Sequence, residues 1–140
     1  MKRTMFYVMS FTWGLPLTVC GLVVALCLMA RRYKPKRFGW VWCFEIGKGW
    51  GGLNLGVVFL CQEGASDNLK CHEFGHAIQN CYLGLIMPFF VLCSAIRYHY
   101  INYLEKEGLP VIPYDSWWFE GQATRWGLKY YNEMREEDIS

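Results

Sequence analysis

Charge is scarce in this 140-residue chain: 19% of its residues are charged and the formal net charge is +2. So small a balance excludes the broad basic footprint of a nucleic-acid binder. Histidine is scarcer still, with three in the whole chain. Cysteine is present but unpatterned: there are seven, an odd number, and no Cys-x-x-Cys pair occurs. That excludes a disulfide framework and leaves free thiols in a reducing compartment, several of them in apolar runs where cysteine packs as a small hydrophobe. No internal repeat and no low-complexity tract occurs, so repeat architectures are excluded too. What fills the chain instead is apolar: 54% hydrophobic and 18% aromatic residues exclude global disorder. The length suits one domain.

Met5 to Ala30 contains no charged residue. A helix needs about 20 such residues to span a bilayer core, so residues 1–37 are expected to be a membrane anchor with a basic flank, kinked at Gly14 and Pro16. The run is too long for the apolar core of a cleaved signal peptide. Arg31, Arg32, Lys34, Lys36 and Arg37 outweigh Lys2 and Arg3, which places the C-terminal side in the cytoplasm. Residues 38–140 form the remaining domain. Trp40–Ile46 and Leu53–Leu60 read as strands around a glycine-rich turn, predicting a hairpin. Ser66 or Asp67 can cap a helix reaching about Tyr82. Tyr82–Ile101 is apolar again but carries Gly84, Pro88 and Arg97; a second crossing, a broken re-entrant segment and buried core all fit it. A last helix is expected from Trp117 to about Met134, with the charged tail Arg135–Ser140 fraying. The expected class is α+β, mainly α.

Within the first of these soluble-looking helices stands His72-Glu73-Phe74-Gly75-His76. Residues i and i+4 share a helix face, so both imidazoles can reach one metal ion. Glu73 is rotated by about 100° from His72 and cannot comfortably be a ligand of the same ion. It can take a proton from a water molecule that zinc has acidified to a pKa of about 7. Two ligands and a base are the mechanical content of His-Glu-x-x-His. The bland alternative is two histidines and a solvated glutamate on an ordinary helix. Two of three histidines fall in the motif, between apolar segments where ionisable groups need a reason.

A catalytic zinc needs a third protein ligand. Gln79 and Tyr82 stand where a metzincin has glycine and histidine, so that class is excluded. The candidates are His99, Glu105, Glu107, Asp115 and Glu120. Glu120 is flanked by Gly121, Ala123 and Thr124, small residues that let its helix pack closely on the motif helix; it also suits a first-turn carboxylate facing a helix dipole. His99, Arg97 and the tyrosines are candidate oxyanion donors. The strand Leu53–Leu60 can serve either as a pairing edge for extended substrate or as support for the helix.

The stretch from about Gly52 to Gly127 resembles small, poorly characterised bacterial membrane proteins of the zincin type with a gluzincin-like ligand arrangement. The resemblance lies in Asn54-Leu55-Gly56, in His72-Glu73-Phe74-Gly75-His76-Ala77-Ile78-Gln79 and in Trp118-Phe119-Glu120-Gly121-Gln122-Ala123-Thr124. Asn54 stands where serine is usual, and Thr124 where asparagine is usual. The resemblance implies a zinc metallopeptidase of peptide or protein substrates in a bacterial inner membrane, with His72, His76 and Glu120 as zinc ligands and Glu73 as general base. Three ligands on one ion must lie at one depth. The apolar segment after the motif is therefore expected to turn back at Gly84 or Pro88 instead of crossing, leaving the site near the cytoplasmic interface.

Overall fold

A computed structural model describes residues 1–139 as an α+β chain, mainly helical, with one four-stranded sheet. Helices α1 (Arg3–Phe11) and α2 (Leu15–Ala30) precede strands β1 (Lys36–Phe38), β2 (Val41–Glu45), β3 (Gly52–Leu55) and β4 (Val58–Cys61). Helices α3 (Asp67–Leu83), α4 (Met87–Lys106) and α5 (Trp118–Ile139) follow. Helix α5 runs past the expected end at Met134; Ser140 lies outside the described residues.

The N-terminal apolar run is not one rod. Thr12–Gly14 break it, and α2 leaves α1 at 92°. The break is held in place: Asn80 Nδ2 donates to Gly14 O (3.1 Å) and Trp13 Nε1 to Tyr82 O (3.2 Å). Nor does the chain divide at residue 37. Phe6 and Ala25 belong to the same core as Trp40, Phe59 and Phe74, because α1 and α2 pack on α3 and on the sheet. Their outer faces stay apolar and exposed, at Val8, Val19, Val23 and Leu26 among others. By length and composition the helical stretch Asp67–Lys106, which is interrupted at Gly84–Ile86, is apolar enough to cross a membrane, and the bent α1–α2 pair passes the same test together.

The single hairpin expected across residues 40–60 is corrected. The sheet order is β1-β2-β4-β3, and β2 and β4, the two runs meant to pair antiparallel, lie parallel. Each instead makes its own hairpin, β1–β2 through Gly39-Trp40 and β3–β4 through Gly56-Val57. Both turns put glycine first with positive φ, +56° at Gly39 and +73° at Gly56, as a tight two-residue hairpin requires. Gly56 is further fixed by Asn54, whose side chain accepts from its N–H (2.9 Å) and donates to its C=O (3.2 Å). A Cβ at Gly56 would meet Thr18 Oγ1 at 2.5 Å, so the hairpin tip fits only bare beneath α2.

Helix α3 starts where the sequence places it, with Ser66 Oγ accepting from Leu69 N. It stops at Gly84, in a 3-10 turn over Gly84–Ile86. Pro88 begins the next helix and does not break it. Helix α4 then comes back: its Ser94 reaches the Glu120 carboxylate that also faces His72 and His76. The apolar segment therefore turns at Gly84, the first of the two positions the ligand argument allowed. Helix α5 lies along α3 in backbone contact. A Cβ on Gly75 would stand 1.8 Å from Ala123 O, and one on Gly127 1.7 Å from Cys71 O.

Gly127→Ala must therefore push α5 off α3. We expect a loss of about 1–3 kcal/mol, the usual range for overpacking, read as a lower unfolding midpoint by circular dichroism in detergent. An unchanged midpoint would show that the two helices do not rest on this contact.

Candidate metal centre

The α3–α5 contact sets three ligand atoms face to face. His72 and His76 project from one side of α3, and Glu120, in the first turn of α5, points back at them. Glu120 Oε2 lies 3.1 Å from His72 Nε2 and 3.2 Å from His76 Nε2, and the two Nε2 atoms are 3.2 Å apart. Ligands about 2.0–2.1 Å from a tetrahedral zinc are about 3.3–3.4 Å from one another. The triangle matches one face of such a tetrahedron, and both histidines also line a cavity. The histidines are nearly buried and Glu120 is fully so.

The hydrogen-bond partners say which atoms carry protons. Gln79 Nε2 donates to Phe119 O (2.8 Å), a group that can only accept, which fixes the amide orientation. Gln79 Oε1 therefore accepts from His76 Nδ1 (2.8 Å). Thr124 likewise donates its hydroxyl to Glu120 O (3.3 Å), so its oxygen accepts from His72 Nδ1 (2.9 Å). With both Nδ1 atoms protonated, each neutral imidazole turns a lone pair on Nε2 toward the carboxylate. Three lone pairs converging at 3.1–3.2 Å repel unless a positive charge lies among them. A proton can supply it. Burial by itself would lower the His76 pKa, but its hydrogen bond to Glu120 and the nearby carboxylates outweigh that and raise it. A divalent cation supplies the charge better, because it satisfies all three donors at once. On the Glu120 side, burial favours the neutral acid but is outweighed by His72 and His76, which hold the carboxyl far below the usual range. The Ser94 hydroxyl donates to Glu120 Oε1 and contacts the Tyr114 hydroxyl, so the second carboxylate oxygen is also tied.

Glu73 is the exception in a well-satisfied site. It is 4% exposed and its Oε2 has no hydrogen-bond partner. Burial raises its pKa, opposed by the two histidines and reinforced by Glu120. Room for it is made by β3: a Cβ on Gly52 would stand 2.5 Å from Glu73 Oε1. β3 is the edge strand, and its register leaves the backbone groups of Gly52 and Asn54 on the side away from β4. A cavity of about 850 Å³ joins this edge, His72, Glu73 and His76 to the inner face of α4.

Among the other candidates, His99, Glu105 and Asp115 line the cavity but stand outside the ligand triangle. Glu107 caps α4. Arg97 is bonded to Pro113 O and Ser116 Oγ, and Tyr100 is exposed, whereas Tyr98 and Tyr114 line the cavity. Gln79, Ser94 and Tyr114 were missed as partners of the site. Gln79 was findable, three residues after His76 and so on the same helix face; Ser94 and Tyr114 carry no local signal. All seven cysteines are free. Burial raises the Cys71 and Cys81 pKa values to about 11, as expected of packing thiols.

If Gln79 and Thr124 orient the ligands, Gln79→Met and Thr124→Val should each weaken zinc binding by about 10–100-fold. Competition against a chelator of known affinity measures this, and unchanged affinity in both would contradict the proton assignment above. Neither a protein-family model, a curated protein nor a solved structure matches the chain.

Proposed function

We propose that the chain is a membrane-associated zinc metallopeptidase of the gluzincin-like type its motifs resemble. The observation that carries this reading is the buried triangle of lone pairs from His72, His76 and Glu120, with Glu73 beside it holding one oxygen, Oε2, without a partner. His72, His76 and Glu120 would hold the zinc, which when bound would supply Lewis acidity and lower the pKa of a water molecule to about 7. Glu73, buried beside the ligands with Oε2 free, would receive that water's proton and pass it to the leaving amine. The outward backbone groups of Gly52 and the carbonyl of Asn54, whose N–H faces Glu73, would hold an extended peptide across the site without demanding particular side chains. Tyr98, Tyr114 and His99 line the cavity and are the candidate donors for a developing oxyanion.

The membrane part of the proposal rests on the exposed apolar faces and on charge. Arg3 and Arg37 both lie 5.9 Å from the centre of the Tyr7 ring. The two basic flanks of the α1–α2 pair thus meet on one side of the molecule. A straight anchor would set them on opposite sides, against the positive-inside rule at one end. A re-entrant pair, entering and leaving by the cytoplasmic face, removes the conflict, and it suits a bacterial inner membrane with the site at the cytoplasmic interface.

Purified protein should hold about one zinc per chain in the wild type and in Glu73→Gln, and far less in His72→Ala and Glu120→Ala. Cleavage of a mixed peptide library should disappear in Glu73→Gln while its zinc stays. A wild type that binds no zinc at high occupancy sinks the proposal; one that binds zinc without cleaving any peptide reduces the site to a structural one. For topology, Lys2→Cys and Lys34→Cys, with Cys20 and Cys27 replaced by serine, should react with an impermeant maleimide from the same membrane face. Labelling from opposite faces would restore the simple crossing.

A further inference from the structure

Helix α4 has two apolar sides with different neighbours. Val91, Ala95 and Tyr98 line the cavity opposite the histidines. Phe89, Leu92 and Ile96 form a stripe on the other side, 65%, 59% and 61% exposed. Among its own residues only Met87 and Ile101 are buried. One helix therefore separates the cavity from an apolar exterior that continues over Leu85 and Ile86. Water is a poor covering for such a surface, and a bilayer is a good one.

The cavity has its own selectivity. Leu53, Leu69, Val91, Phe119 and Leu128 make most of its wall apolar. The charged residues that line it are Glu73, Glu105 and Asp115; among the described residues no lysine or arginine does. Glu105 and Asp115 are exposed and make no ion pair with the described residues. Arg97 of α4 is bonded to Pro113 O and Ser116 Oγ, on either side of Asp115, without pairing with the Asp115 carboxylate. Glu105 and Asp115 stand outside the ligand triangle and are the exposed carboxylates of the cavity wall. An apolar channel with an unpaired acidic rim fits an apolar peptide that carries a cation at one end.

We propose that the substrate is an apolar peptide segment taken from the bilayer alongside α4, with a lysine or arginine flanking the apolar core. This rests on the metallopeptidase reading for the chemistry but not for the binding. The apolar core lies along the cavity wall and the flanking cation meets Glu105 and Asp115. An acidic flank meets the same carboxylates and is repelled.

Three fluorophore-labelled peptides test this against zinc-loaded Glu73→Gln in detergent, by anisotropy: a leucine–alanine core flanked by lysine, the same core flanked by glutamate, and a serine–glutamine core flanked by lysine. The first should bind at least tenfold more tightly than either of the others. Glu105→Lys combined with Asp115→Lys should reverse the preference between the lysine and glutamate flanks, without altering zinc content. Equal binding of the apolar and polar cores, or a flank preference that the double variant leaves unmoved, overturns the inference. If the binding order holds but the wild type does not cleave the first peptide, the inference stands and the peptidase reading fails.

Discussion

Helices α3 and α5 meet backbone against backbone. Gly75 of α3 meets the Ala123 carbonyl, and Gly127 of α5 meets the Cys71 carbonyl, with no side chain between. Everything about the site follows from that spacing. Helices with ordinary side chains at their contact stand about 8–10 Å apart, and a first-turn glutamate would then meet two histidines on the neighbour only through a longer reach. Here Glu120 arrives at 3.1–3.2 Å from both, while Gln79 and Thr124 cross the same narrow gap to fix the imidazoles. The glycine between the histidines is thus less a feature of its own helix than a seat for the next one.

Around this pair the remaining elements are supports. The sheet presents its edge strand to Glu73, and α4 closes the cavity from the far side while its hydroxyl at Ser94 secures the free oxygen of Glu120. The broken N-terminal run, at first sight a separate anchor, is bolted to the end of α3 through Asn80 and to the hairpin tip through Thr18. An apolar environment acting on α1, α2 or α4 therefore acts on elements that touch the site or its scaffold directly.

What was legible in the sequence is what depends on short spacing. His72 and His76 at i and i+4, Glu73 beside them and the Ser66 cap are local statements that helical geometry enforces. Glu120 was one of five candidates on spacing, singled out by resemblance. A turn at Gly84 or Pro88 followed from requiring three ligands at one depth, and the structure puts it at Gly84. The sheet was misread for a physical reason. Gly56 sits inside an apolar run and looked like part of one strand, because a two-residue turn needs only one permissive backbone position and gives no polar punctuation. The parallel partnership of β2 and β4 is non-local and leaves no mark in either strand. Ser94 and Tyr114 depend on where α4 lands after its turn, which no window around them encodes.

The bare contact between α3 and α5 has a further consequence. Side chains at a helix interface can change rotamer and let two helices drift by fractions of an ångström, so a site suspended across it would accept ions of several sizes. Carbonyl against glycine has no such freedom. If a cation binds between His72, His76 and Glu120, so fixed a gap would act as a gauge, favouring a small tetrahedral ion over larger ions that need six to eight oxygen donors at longer distances. Selectivity for the ion would then reside less in the ligands, which many metals accept, than in two residues that never touch it.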